Sequence, residues 1–126
     1  MTPGSHGSTY GSNPLAMAVG NAVLDVMLQD GFSAHVQAMG ALLKNGLELL
    51  QAKHPHVIEE VRGTGLLLGI KTRGSHHALV DRLRVAKLLT SPAQENVIRI
   101  IPPLVVSGEE IREALAILAK VCEETL

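Results

Sequence analysis

The segment from Leu15 to Asp30 most constrains how this chain can fold, because it is apolar on nearly every helical face. Asn13 can cap a helix there, Pro14 suits the first turn, and Gly31 is a typical C-terminal stop. A helix that is apolar nearly all round is buried on more than one side. We therefore expect this helix to present a surface to another domain or subunit.

Composition excludes several classes of function. The 126 residues carry 11 Lys+Arg against 12 Asp+Glu, which argues against a general nucleic-acid binder and against a polybasic membrane anchor. A single Phe, a single Tyr and no Trp argue against an aromatic surface on which nucleic-acid bases could stack. We predict a cytoplasmic protein, because Cys122 is the only cysteine and the sequence shows neither a signal peptide nor a transmembrane run.

The remaining pattern predicts an α+β fold with a small, mostly antiparallel sheet covered by helices. The predicted elements are a helix from Ser33 to His54-Pro55, a strand over 66–70, a helix over 75–87 capped by Ser75, strands over 88–90 and 97–101 that pair as a hairpin, a turn over 91–96, and a last helix that begins with a Ser107/Glu110 capping box. No strand is predicted over 57–65.

Residues 4–14, GSHGSTYGSNP, are the first candidate site. Glycines let a backbone approach a ligand, the adjacent Ser8 and Thr9 are hydroxyl donors, and a helix N-terminus that follows favours an anion. No Gly-Lys-Ser/Thr and no GxGxxG motif is present, so the loop is neither a Walker loop nor a dinucleotide fingerprint. The alternative is a flexible N-terminus, or residues left from cloning.

Arg99 is the second candidate, since an arginine within a β-branched strand suits a carboxylate if it faces a site. Its alternative is a place on an exposed strand face, and alternation does not decide because every neighbour is apolar. Arg62-Gly63-Thr64-Gly65 is the third motif, and its two glycines favour a bend or bulge over a ligand site.

The sequence predicts no metal site. His76 and His77 are adjacent, His54 and His56 flank a proline, and no HExxH or His/Cys set is present. Cys122 falls on the apolar stripe of the last helix and is interpreted as a core thiol rather than a nucleophile. We therefore predict no catalytic residue in this chain.

Three segments, HGSTYGSNPLA (6–16), VRGTGLLLGI (61–70) and NVIRIIPPLVVSGEEIREAL (96–115), resemble the class III pyridoxal-phosphate-dependent aminotransferases. They stand in the order and near the spacing of that family. The likeness covers essentially the whole chain but only about the C-terminal third of such an enzyme. It is greatest to the acetylornithine aminotransferases, and ornithine, succinylornithine and 4-aminobutyrate aminotransferases share much of it.

The resemblance implies a fold-type I layout in which residues 1–30 hold a cofactor-phosphate loop and an interdomain helix at the end of the large domain, and 31–126 form the C-terminal small domain. It implies at least a dimer, with active sites at the subunit interface. Ser8 and Thr9 would contact the phosphate of the partner subunit's pyridoxal phosphate. Arg99 would pair with a substrate carboxylate, or with a gating glutamate of the large domain.

The chain also departs from the family. The family's catalytic lysine lies upstream, and no lysine here stands in a matching motif, so we expect a fragment that is inactive alone and does not hold the cofactor covalently. Such a fragment is expected to self-associate or swap domains. Ser12 replaces a frequent family glycine and is tolerable unless that backbone needs a positive φ. A stand-alone phosphate- or carboxylate-binding module and a non-functional structural remnant are the alternatives.

Overall fold

A computed structural model describes residues 2–125, in two compact units that divide between Ser33 and Ala34. In chain order the elements are α1 (Pro14–Met27), α2 (Phe32–Lys53), β1 (Ile58–Thr64), β2 (Leu67–Thr72), α3 (His76–Val85), β3 (Ser91–Pro92), β4 (Val97–Ile100) and α4 (Gly108–Glu123). The predicted α+β class is confirmed. No helix within the described part of the chain is long and apolar enough to cross a membrane.

The four strands form one antiparallel sheet in the order β1-β2-β4-β3. Gly69 of β2 is the centre of one cross-strand row, because it pairs with Arg62 on β1 and with Arg99 on β4. Ser91 on β3 pairs with Arg99 and extends the same row. Directly paired residues of antiparallel strands point to the same face, so these residues share one face of the sheet.

The other face of the sheet carries the core. Ile70, Ile98 and Leu68 are at most 1% exposed and pack with apolar side chains of the helices. The buried helical residues are Leu43, Leu47, Leu50, Leu79, Leu83, Ile111, Leu118, Val121 and Cys122. Aliphatic burial of this kind is the main stabilising contribution to the second unit. Cys122 is 0% exposed, which confirms its interpretation as a core thiol.

β1 is a strand that the sequence pattern did not predict. Its sequence, IEEVRGT, holds only two large apolar residues among charged ones, and the alternation is interrupted by an irregular register between Ile58 and Glu60. Gly63, with φ 107°, lies near the end of β1, and Gly65, with φ 56°, lies in the turn that follows. The structural interpretation of those glycines is therefore confirmed.

The strand predicted over 88–90 is wrong, and the strand lies instead at Ser91–Pro92, within the predicted turn. The reason is the end of α3. Lys87 has φ 72°, its amide donates to the carbonyl of Arg84, and the amide of Leu88 donates back to Leu83 at 2.9 Å. This pair of hydrogen bonds is a Schellman motif, so the residues after Lys87 complete the helix end rather than start a strand.

The predicted caps are confirmed at three helices. Asn13, Ser75 and Ser107 are the N-caps of α1, α3 and α4, and Ser107 forms the predicted capping box with Glu110. Two helix ends differ from the prediction: α1 ends at Met27 rather than Asp30, and α2 begins at Phe32, so Ser33 is not its cap. Gly31, with φ 84°, makes the turn between them.

Candidate functional site

The loop before α1 is ordered around Asn13. Its side-chain amide donates to the carbonyl of Tyr10 at 2.6 Å, and its side-chain oxygen accepts from the amide of Ala16 at 2.9 Å. Pro14 occupies the first turn, where its missing N–H leaves no donor unsatisfied. The loop is thereby joined to a helix N-terminus, where amide groups and the helix dipole favour a negative charge.

Ser8 and Thr9 are exposed on this loop, as a residue that donates to a ligand must be. Gly11 lies so close to Ser8 that a Cβ on Gly11 would be 3.1 Å from the Cβ of Ser8 and 3.3 Å from its hydroxyl oxygen. A glycine at this position therefore keeps the Ser8 hydroxyl unobstructed. The loop suits the phosphate end of pyridoxal phosphate.

Ser12 adopts φ 58°, which is the left-handed region that favours glycine. This is the positive φ at which the replacement of glycine by serine is unfavourable. A serine in this conformation carries strain of about 1 kcal/mol relative to glycine. The next residue, Asn13, forms the N-cap of α1.

Arg99 lies on the solvent face of the sheet. Its strand neighbours Ile98 and Ile100 are buried, and the arginine between them is exposed. The side chain lines an open recess together with Glu95 and Asn96 of the β3–β4 turn and with His76 and His77 at the start of α3. Arg99 therefore lies on an exposed strand face of this chain, and that face includes the recess.

The basic groups of this sheet face differ in their partners. The Nε of Arg62 is 2.9 Å from an oxygen of Glu60, and its Nη1 is 3.3 Å from an oxygen of Glu95. The hydrogen bonds to these two carboxylates raise the pKa of Arg62. Lys71 is 3.0 Å from Glu59 and lowers the pKa of that carboxyl group through their hydrogen bond. Within residues 2–125, Arg99 has no carboxylate within 4.0 Å.

The contact of Arg62 with Glu95, a residue that lines the recess, is not predicted by the sequence pattern. The two glycines of the RGTG motif predict a bend or bulge, and its arginine in addition reaches across the sheet to Glu95. No sequence signal links residues 62 and 95, because their contact depends on the strand order β1-β2-β4. The charged residues at alternate positions, Glu60 and Arg62, are the sequence signal that indicates a half-exposed strand in this segment.

The histidines of the recess are engaged with their neighbours. The Nδ1 of His76 lies 3.0 Å from the side-chain oxygen of Asn96, and the rings of His76 and His77 are 4.1 Å apart. No group of three or more His, Cys, Asp and Glu residues that could hold a metal ion is found among residues 2–125.

The five lysines lie on α2, β2 and α4 and after the end of α3. Lys44 and Lys53 lie on α2, Lys120 lies on α4, and Lys71 is paired with Glu59. Lys87, which was predicted to lie on a helix, occupies the left-handed position after α3.

Comparison with known proteins identifies relatives along nearly the whole chain. Residues 1–122 match the sequence model of the family described as Aminotransferase class-III. An acetylornithine aminotransferase of Agrobacterium fabrum is 56% identical over 116 residues, which are 92% of this chain and 29% of that protein. This chain therefore spans under a third of the length of that relative.

Solved structures agree with the sequence comparison. The structure of an acetylornithine aminotransferase from Elizabethkingia anophelis matches this chain with a TM-score of 0.84 and 36% identity. The match covers 98% of this chain and 33% of the aminotransferase chain. An ornithine δ-aminotransferase of Plasmodium falciparum matches with a TM-score of 0.85 and 29% identity, again over 98% of this chain and 33% of that protein's chain. These matches confirm that the fold is part of an aminotransferase architecture.

Proposed function

The chain belongs to the class-III aminotransferase family, and we propose that it supplies the C-terminal part of an acetylornithine aminotransferase. In this proposal residues 1–30 end the large domain and residues 31–126 form the small domain. The complete enzyme would transfer the amino group of N-acetylornithine to 2-oxoglutarate, a step of arginine biosynthesis. The likeness to acetylornithine aminotransferases over more than nine-tenths of this chain supports that choice of enzyme.

The observation that carries the proposal is the guanidinium group of Arg99. Of the two arginines in the described strands, Arg62 holds two carboxylates and Arg99 holds none within 4.0 Å. A guanidinium group binds a carboxylate through two parallel hydrogen bonds, which also orient the bound acid. Arg99 would bind the carboxylate of an amino-acid or 2-oxo-acid substrate, and between turnovers the gating glutamate of the large domain.

Ser8 and Thr9 would donate hydrogen bonds to the phosphate of pyridoxal phosphate held by a partner subunit. Their support is the exposed loop, the close glycine at position 11 and the N-terminus of α1 beside them. When bound, the cofactor supplies an electron sink for transamination. Its covalent lysine would come from outside this chain.

The first test uses the isolated chain with pyridoxal phosphate, N-acetylornithine and 2-oxoglutarate. We expect no glutamate to form and no stoichiometric lysine adduct after borohydride reduction, measured by intact mass. Turnover, or one stoichiometric adduct, would show that one of the five lysines performs the chemistry and would refute the proposal.

The second test restores the missing part of the enzyme. Residues 1–126 replace the corresponding C-terminal segment of the Agrobacterium fabrum relative, and kcat/KM for 2-oxoglutarate is measured. We expect Arg99→Lys to lower kcat/KM about 100-fold, since a bidentate charged contact is worth about 2–3 kcal/mol. Arg112→Lys, an arginine on the exposed side of α4, is the matched control and should leave kcat/KM unchanged. Equal effects of the two substitutions would exclude Arg99 from substrate binding.

The same chimera tests the phosphate contacts. Ser8→Ala combined with Thr9→Ala should raise the dissociation constant of pyridoxal phosphate at least 10-fold, because hydrogen bonds to a charged group contribute about 1.5–3 kcal/mol each. Ser5→Ala, on the same loop, is the control, because its hydroxyl already donates to the carbonyl of Thr2. An unchanged cofactor affinity in the double variant would remove these hydroxyls from the site.

Two alternatives keep a specific observation in their favour. The match to an ornithine δ-aminotransferase fits a parent enzyme with ornithine as the amino donor. Glutamate formation by the complete enzyme with ornithine, succinylornithine or 4-aminobutyrate in place of N-acetylornithine would distinguish these donors. The exposed Ser8–Thr9 loop and Arg99 also fit a stand-alone phosphate- or carboxylate-binding module. Saturable binding of such a metabolite by the isolated chain, without any larger parent protein in the cell, would favour the module.

We further propose a homo-oligomer, at least a dimer, in the cytoplasm. The apolar side chains of α1 support the oligomer, since Leu15 and Leu24 are 75% and 51% exposed in this chain. The single, buried cysteine is consistent with a reducing compartment. Light scattering at several concentrations tests the assembly, and a concentration-independent monomer of the isolated chain would count against it.

A further inference from the structure

Two arginines of the sheet stand in one row with a glycine between them. Arg62 pairs with Gly69, and Gly69 pairs with Arg99, so the two arginine Cα atoms are about 10 Å apart, twice the spacing of neighbouring strands. Gly69 places no side chain between them. A Cβ at Gly69 would lie 2.9 Å from the Cγ1 of Val97, so the close strand packing also favours glycine there.

Glu95 is within reach of this row. Its carboxylate accepts from the Nη1 of Arg62 at 3.3 Å, and the same residue lines the recess that Arg99 lines. Its side chain is 74% exposed, and Arg62 is the only basic residue of the described chain within 4.0 Å of it. The recess thus contains a free guanidinium group and a carboxylate that is held away from it.

The backbone that carries Glu95 is fixed on both sides. The amide of Val97 donates to the carbonyl of Gln94 at 3.3 Å and closes the turn. The carbonyl of Asn96 accepts from the amide of Thr72 at 2.9 Å, and the side chain of Asn96 contacts His76. The side chain of Glu95 can therefore change its hydrogen-bond partner while its backbone stays in place.

We propose that Arg62 is a positioning residue that keeps Glu95 off Arg99, so that Arg99 stays available to an external carboxylate. This inference rests on the proposed role of Arg99 in carboxylate binding. Glu95, if released, would be an internal carboxylate at high effective concentration beside an unpaired guanidinium group. The second partner of Arg62, Glu60, lies two residues away on the same strand and contacts the Nε of the arginine, whereas Glu95 contacts its Nη1.

The test measures the chemical reactivity of Arg99 without any substrate. Phenylglyoxal modifies free guanidinium groups, and peptide mass mapping gives the modification rate of Arg99 at low ionic strength, where exposed ion pairs are strongest. In Arg62→Met we expect this rate to fall about twofold to threefold, the size of an exposed ion pair. Arg62→Met combined with Glu95→Gln should restore the original rate, and Arg62→Lys should keep it.

Matched controls separate positioning from a structural role. Glu60→Gln also removes one partner of Arg62 but leaves the pair with Glu95, so the Arg99 rate should stay unchanged. Should Arg62→Met fail to fold by circular dichroism, Arg62→Gln provides the same comparison with a side chain of similar length. Rescue by Glu95→Gln is the result that a purely structural role of Arg62 would not produce.

Two results would overturn the inference. One is an Arg99 rate that does not change when Arg62 is replaced, and the other is a slower rate that Glu95→Gln does not restore. Because no substrate is present, neither result bears on carboxylate binding by Arg99, which the kcat/KM of Arg99→Lys decides separately.

Discussion

A Cβ built on Gly40 would lie 2.7 Å from the carbonyl carbon of Gly65, so α2 crosses the β1–β2 turn backbone to backbone. Alanine is normally preferred to glycine in a helix by about 1 kcal/mol. At Gly40 the clash is with main-chain atoms that cannot rotate away, and we expect Gly40→Ala to lower the free energy of unfolding by about 1–3 kcal/mol. Urea denaturation monitored by circular dichroism measures the change.

Gly46→Ala on the same helix is the control for this prediction. Its Cβ would clash with the Cδ1 of Leu115, which is the end of a flexible, partly buried side chain. Leu115 can change rotamer, so the loss should be smaller than at Gly40 while the helix-propensity gain is the same. A larger loss at Gly46 than at Gly40 would contradict the backbone contact as the controlling feature.

Lys87 predicts a stabilising substitution. It occupies the left-handed position of the Schellman motif after α3 with φ 72°, where glycine is the preferred residue. Lys87→Gly should raise the free energy of unfolding by about 0.5–1 kcal/mol, because the strain of a Cβ in that region is removed. Urea denaturation of the wild type and the variant, under identical conditions, tests the sign.

Val85→Gly, two residues earlier, gives the opposite expectation. Val85 is the last residue of α3 and is 80% exposed, so its removal loses little packing and mainly adds backbone entropy to the unfolded chain. We expect a loss of about 0.5–1 kcal/mol. If both glycine substitutions destabilised the protein equally, the left-handed strain at Lys87 would not be a significant term.

The sequence was sufficient for features that are local. The caps at Asn13, Ser75 and Ser107 were predicted correctly because each cap bonds to an amide only three residues away. β1 is not predicted because a strand with one buried face and charged residues on the other lacks an apolar run, and the irregular register at its start breaks the alternation. The error at residues 88–90 has a local cause as well, since a lysine in the left-handed region gives no compositional sign of a helix end.

The recess around Arg99 was not accessible to the same reasoning. Arg99 was selected from its strand, but the direction of its side chain follows from which face of the sheet the helices cover. The contact of Arg62 with Glu95 spans 33 residues and follows from the strand order alone. The assignments of Ser8, Thr9 and Arg99 to a cofactor or a substrate stay predictions, which the chimera experiments address.

The capping box predicts part of the acid dependence of stability. The backbone amide of Ser107 donates to Glu110 at 2.8 Å, and this bond, with the Ser107 hydroxyl contact, lowers the pKa of Glu110 from its ordinary value. A carboxyl group whose pKa is lowered by folding stabilises the native state above its unfolded pKa and loses that effect as the pH falls through its folded pKa. Glu110→Gln keeps a hydrogen-bond acceptor but removes the charge.

We therefore expect the unfolding free energies of the wild type and Glu110→Gln to differ most near pH 7 and to converge below about pH 4. Urea denaturation at a series of pH values measures both curves. Glu109→Gln removes a charge from the same helical turn without the bonds to Ser107 and is the matched control. A difference that stays constant between pH 7 and pH 3 would mean that the charge of Glu110 does not contribute through the cap.

Cys122 predicts behaviour at alkaline pH. Burial of its thiol on the inner face of α4 raises its pKa to about 11, although the charge of Arg82 acts in the opposite direction. The unfolded chain ionises this thiol at a lower pH than the native protein does, so stability is fully present below about pH 9 and is lost as the pH rises toward 11. Cys122→Ala should show a flatter stability curve between those pH values, despite a lower stability at pH 7.

The same burial predicts that the Cys122 thiol is inert in the native protein. Only the thiolate reacts with Ellman's reagent, and a buried thiol with a raised pKa offers little of it at pH 8. We expect the reaction to proceed at the rate at which α4 opens, and to accelerate in urea along the unfolding transition. An added cysteine on the exposed side of the same helix, Ala116→Cys, should react at the rate of a free thiol. A Cys122 rate equal to that of the Ala116→Cys thiol in native buffer would mean that α4 does not remain packed on the sheet.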